Sequence, residues 1–220
     1  MRIVQRLLAV VLLLLLAASG TALADHLDPK KRIRAADQAK ARAMLLRKSD
    51  LGPGFIAQPT NTPDTHLTCK GLDESDLTVT GEAESPTWAQ GAGFVASAVN
   101  LYATVTDANA SWTRGARGAG TRCLRDELAN EFATQGVALE SLRKVAFPHV
   151  AQRTVAYRMT LSGNAQGVTV RVVIDLVVLM HSRAQTALYF GSAFAPPARA
   201  EEVALARTTA RRMATALKSR

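Results

Sequence analysis

Residues 155–194 read VAYRMTLSGNAQGVTVRVVIDLVVLMHSRAQTALYFGSAF. Val155, Tyr157, Met159 and Leu161 alternate with Arg158 and Thr160, and Thr154 precedes them in the same phase. That is the two-residue period of a strand. Gly163-Asn164-Ala165-Gln166-Gly167 supplies the turn residues that end it. From Val168, the apolar side chains Val170, Val172, Ile174, Leu176, Val178 and Met180 fall on one face of a second strand. A turn near His181–Ala184 then returns the chain through Gln185–Phe194. Links this short join antiparallel neighbours, so the stretch predicts a three-strand meander.

Upstream, Leu139–Phe147 extends the β region, and Leu77–Glu84 and Gly91–Ala103 supply further strands with a short one at Phe55–Gln58. Asp28-Pro29 reads as a helix start, with Asp as cap and Pro in the first position, and predicts a helix over Lys30–Lys48. Ser49-Asp50-Leu51-Gly52-Pro53-Gly54 stops it. Thr106–Arg114 and Thr121–Gln135 read as two central helices, the second closed by Gly136. Pro196-Pro197 breaks the sheet, and Val203, Ala206, Ala210, Met213 and Leu217 form the apolar stripe of a last helix over Ala200–Lys218. The expected fold class is therefore α+β, an antiparallel meander packed against helices, with helices near both ends.

Residues 1–24 predict a cleaved export signal. Arg2 and Arg6 precede the apolar run Leu7–Ala18, and Ala22-Leu23-Ala24 gives the small-x-small cleavage pattern. Twelve apolar residues would span about 18 Å as a helix, against a hydrocarbon core of about 30 Å. No cysteine follows the run, so a lipid anchor is not expected. The expected mature chain is one domain, residues 25–220, secreted or held at the cell envelope. Two of the 27 basic residues leave with the signal and none of the 18 acidic ones, so the mature net charge is 25 minus 18, or +7. Cys69 and Cys123 are the two cysteines. Outside the cytoplasm, without a C-x-x-C spacing, they predict a structural disulfide.

His26, His66, His149 and His181 share no metal-ligand spacing, and no metal or cofactor is expected. No G-x-S-x-G elbow or phosphate-binding glycine loop occurs. Glu82 and Glu84 share a strand face, a pattern that serves glycoside hydrolysis but more often marks an exposed strand. The basic residues are spread and not interleaved with aromatics, which argues against nucleic acid. One candidate ligand site lies on the meander face carrying Thr154, Arg158, Thr160, Thr169, Arg171 and Asp175. If Arg158 lies near Arg171, two guanidinium groups would suit an anion, with Asp175 or a helix residue as the competing partner.

The order of pieces resembles the actinobacterial extracellular sensor-domain family typified by the outer part of the receptor kinase PknH. The matching residues are Ser49-Asp50-Leu51-Gly52-Pro53-Gly54-Phe55 after an opening helix, a cysteine soon after, and Ala110-Ser111-Trp112 leading to Cys123. The meander and the Ala/Arg-rich last helix complete them. The resemblance implies a helix-packed antiparallel sheet with a cleft, and a non-enzymatic domain that binds an extracellular ligand. This chain departs from it in having one cysteine pair, Phe55 where Trp is common, and no kinase. Two other classes stay open at this point: a basic accessory protein bound to an anionic envelope polymer or membrane surface, and an extracellular hydrolase.

Overall fold

A computed structural model describes residues 27–58, 69–116, 118–165 and 167–218. Its strands are β1 (Lys30–Lys31), β2 (Ile56–Gln58), β3 (Thr78–Glu84), β4 (Thr87–Gln90), β5 (Gly93–Tyr102), β6 (Val137–Val145), β7 (Arg153–Ala165), β8 (Val168–His181) and β9 (Ala184–Ala193). The helices are α1 (Ala35–Met44), α2 (Val105–Ala116), α3 (Gly118–Thr134) and α4 (Arg199–Lys218). One sheet runs β1-β3-β5-β9-β8-β7-β6, with β4 also paired to β5 and β2 to β4. Every pairing is antiparallel except β1 with β3. The α+β class and the meander stand as the alternation predicts.

The meander is the centre of the molecule. β8 pairs along its length with β7 and with β9. Its sequence is apolar on both faces, as befits a strand covered on both sides. On one face Val177 and Leu179 join Ala156, Leu188, Phe190, Val99 and Leu101. This face packs against Ala41 and Met44 of α1 and Leu205, Ala206, Ala210 and Met213 of α4. On the other face Met180 packs with Tyr102, Leu77, Val79 and Ala108 of α2, while Val155, Tyr157, Met159 and Leu161 are buried as well. The face that carries Asp175 is thus the helix-covered core face and not an exposed polar one. Threonine and charge in alternate positions mask this, because valine fills the same face at 173 and 177.

The opening helix is shorter than the Asp28-Pro29 cap suggests. Lys30 and Lys31 leave the helix to form β1, where Lys30 N donates to Leu77 O, Arg32 N to Val79 O and Arg34 N to Thr80 O. These bonds occupy the outer edge of β3, which would otherwise offer its backbone to solvent. Helix α1 then starts at Ala35, and its first turn lies on Gly81: a Cβ there would stand 2.5 Å from Asp37 O. Only glycine lets the helix approach the strand this closely.

The predicted strand at Gly91–Ala103 is in fact β5, entered by a turn with Gly91 at φ +58°. Before it lies β4, a short strand that alternation does not reveal. Cys69 and Cys123 form the expected disulfide. It ties the turn Lys70–Leu72 to the start of α3, where Gly120 packs against Leu72 and the Arg114 carbonyl.

Candidate functional site

A groove of about 640 Å³ opens between α1 and the β3–β5 edge of the sheet. Leu45, Ala83 and Val99 give it an apolar floor beside Arg42 and Gln38, and it rounds the β3 edge, where Lys31, Glu82, Glu84 and Asn100 line it from the other face of the sheet. Local structure explains each placement. Arg42 is on the outer side of the last turn of α1 and is exposed. Glu82 and Asn100 are directly paired across β3 and β5, as are Glu84 and Ala98. Gln38 holds the rim: its Nε2 donates to Glu82 O at 2.6 Å, and Glu82 N donates to its Oε1 at 3.1 Å. Lys31 Nζ lies 3.0 Å from Glu82 Oε1, an exposed pair. Glu82 is therefore committed to a lysine, which does not suit the paired-carboxylate reading of Glu82 and Glu84.

The meander site is arranged differently from the expectation. Arg158 lies directly across from Asp175, and its Nε and Nη2 donate to the two carboxylate oxygens at 2.7 and 2.6 Å. Arg171 lies across from Ser162, four residues along β8 from Asp175, or about 13 Å at strand rise. It pairs instead with Glu140, Nε to Oε2 at 3.0 Å. The two arginines therefore do not converge on one anion. The hairpin closes at Ala165 and Val168, tighter than the five-residue turn read from Gly163–Gly167, and this shifts every pair along the strands.

Asp175 has a second set of partners that sequence reasoning did not find. Arg199 Nη2 lies 3.4 Å from Asp175 Oδ2, and Arg199 Nη1 lies 2.7 Å from Glu202 Oε2. Arg199 also stacks 5.0 Å from the centre of the Phe147 ring. Burial first, and then a hydrogen bond with Asp175, pushes the Glu202 carboxyl up to about 8. Burial alone would raise Asp175, but the Arg158 fork and the Glu202 hydrogen bond outweigh it and hold its carboxyl low. Glu202 thus carries the proton between them. Such a pair is the chemistry of an acid and a base, yet Asp175 is 0% and Glu202 1% exposed, sealed from any substrate. Its role is to bind α4 to the sheet. The i, i+3 spacing of Arg199 and Glu202 was legible in the sequence, but their meeting with Asp175 depends on how α4 docks.

Two further ion pairs fix α1 and the Ser49–Gly54 turn. Asp37 receives Arg183 from the β8–β9 turn at 2.5 and 3.1 Å, and this hydrogen bonding holds its carboxyl low. Asp50 receives Arg212 of α4 at 2.5 Å on both oxygens, while also accepting Arg47 N at 2.7 Å. On the opposite face, Tyr102 donates to Ser111 Oγ at 2.8 Å and lies 3.1 Å from Glu74 Oε2. Burial pushes both the Glu74 carboxyl and the Tyr102 phenol up.

His26 and His66 lie outside the described residues. Among the described residues no three of His, Cys, Asp and Glu converge as a metal site, and no helix is long and apolar enough to cross a membrane.

Neither a family model nor a curated protein matches the chain. Among solved structures, the extracellular domain of PknH from Mycobacterium tuberculosis is similar at 11% identity and a TM-score of 0.44, over 83% of this chain and 97% of that one.

Proposed function

We propose that this chain is a non-enzymatic ligand-binding domain, exported and working outside the cytoplasm or at the cell envelope. Its groove between α1 and β3–β5 would take a small polar ligand bearing a carboxylate. The observation that carries this reading is the groove itself. Its volume of about 640 Å³ falls within the usual range of about 300–1,000 Å³ for small-molecule sites. Its apolar floor and its few polar groups fit the same pattern. Arg42 is the group suited to a ligand carboxylate, because no described residue pairs with it and its fork matches that geometry. A ligand long enough to round the β3 edge would also meet Asn100 and Glu84 on the opposite sheet face.

A disulfide of sequence separation 54 and the signal-like N-terminus support an exported location. The sealing of the Asp175–Glu202 pair supports binding over catalysis. Calorimetry with a panel of amino acids, dipeptides and sugar acids tests the reading. Arg42→Gln should weaken any carboxylate ligand by about ten-fold or more, the scale of a charge-assisted hydrogen bond. A panel that gives no binding at millimolar concentration, or binding that this substitution leaves intact, contradicts it.

A further inference from the structure

We propose that the outer face of the α1–α4 layer docks onto an anionic phospholipid surface. The charge of this molecule is divided between its two sides. Segments 30–50 and 199–218 together hold 13 Lys and Arg against 4 Asp and Glu, while the rest of the described chain holds 10 against 12. The two segments adjoin, because α1 and α4 pack side by side on one face of the sheet.

The acids of this layer are turned inward. Asp37 is neutralised by Arg183 and Asp50 by Arg212, and Glu202 is buried beside Asp175 and Arg199. Glu201 is the one acid of the two segments left exposed. The cations take the opposite side: Arg32, Arg34, Arg42, Arg47, Arg207 and Arg211 are all exposed. A layer that buries its acids and displays its bases has a positive field over a broad face. That field is complementary to a sheet of phosphate headgroups, which attracts such residues to within a Debye length.

A membrane, and not a soluble polyanion, is favoured by Ile33. It sits between Arg32 and Arg34, is 46% exposed, and lies in the extended segment joining β1 to α1. An apolar side chain framed by cations is the pattern of an interfacial contact, where the charges meet headgroups and the apolar group enters the acyl boundary. This inference is independent of the groove, and its test leaves Arg42 untouched.

The test is co-sedimentation of the form beginning at Asp25 with vesicles of equal parts phosphatidylglycerol and phosphatidylcholine, at about 0.1 M salt. Each removed cation should cost about five-fold in partitioning. Arg32→Gln, Arg47→Gln, Arg207→Gln and Arg211→Gln combined should therefore lose about 100-fold or more. The same four changed to Lys should retain binding, which separates charge from folding. The control combines Arg122→Gln, Arg125→Gln, Arg143→Gln and Lys144→Gln, exposed cations of α3 and β6. It should stay within about three-fold, and raising the salt to about 1 M should release the protein. Equal binding to pure phosphatidylcholine, an equal loss in the control, or binding to soluble polyphosphate with none to the vesicles would overturn the proposal.

Discussion

Gln38 completes the β3 edge of the sheet with its side chain: its amide bonds both the carbonyl and the N–H of Glu82, at 2.6 and 3.1 Å. It continues the row of backbone bonds that Lys30, Arg32 and Arg34 make to the same edge. A side-chain amide presents a donor and an acceptor at the spacing of a peptide group, so one helix residue substitutes for a strand. Gln38→Ala should cost about 1–3 kcal/mol in urea denaturation, for two bonds lost at a part-buried edge. Amide exchange at Glu82 should quicken. Gln38→Glu should cost more, because a carboxylate would face the Glu82 carbonyl.

The Asp37–Arg183 pair should behave as a buried one. Asp37→Ala leaves the Arg183 guanidinium beside Thr80 and the Tyr102 carbonyl without its counter-charge, and about 3 kcal/mol should be lost. Asp37→Leu with Arg183→Met should recover most of it. A double variant as unstable as the sum of its parts would show that the pair contributes no coupling.

Gly81→Ala should shift α1 away from β3, since its new methyl would meet the Asp37 carbonyl at 2.5 Å. The obstacle is backbone and cannot rotate aside. We expect a loss of about 2–3 kcal/mol, with ligand binding in the groove weakened in parallel. Unchanged stability would mean that α1 sits less firmly on the strand than described.

Glu202 gives stability a dependence on alkaline pH. Its carboxyl titrates at about 8 in the fold and at the ordinary 4.5 when unfolded. The folded state therefore holds a proton that the unfolded state releases. The resulting stability is fully present below pH 4.5 and is lost as pH rises through 8. Glu74, also raised by burial, acts in the same sense. Between pH 5 and 9 the loss should be on the order of 3 kcal/mol. Asp175 acts oppositely, its contribution disappearing only in acid as pH falls below the usual carboxylate range. Glu202→Gln imitates the protonated form and should be near neutral at pH 4 and increasingly stabilising as pH rises towards 9. A slope unchanged in this variant would assign the titration elsewhere.

These contacts also mark what one-dimensional pattern can carry. The meander and α4 were legible because short links and apolar periods are local properties of the chain. β1 was not, since Lys30 and Lys31 are extended only because the edge of β3 accepts them. Face assignment on β8 failed for a related reason: with valine at 172, 173, 177 and 178, alternation no longer distinguishes inside from outside. The Arg158–Arg171 expectation turns on hairpin register, which moves when the first strand runs three residues further, to Ala165, before the turn. The groove joins residues from the first helix and from strands 40–60 positions downstream, so no spacing announces it.

Side-chain NMR shows whether the groove beside α1 holds a small ligand. A carboxylate ligand from the panel is titrated into labelled protein while the Gln38 amide and Arg42 Nε–H signals are followed. Saturable shifts are expected at both groups, with the half-buried Arg158 and Arg199 signals unmoved. Shifts confined to the opposite sheet face, or none at Arg42 while the ligand is bound, would contradict this reading.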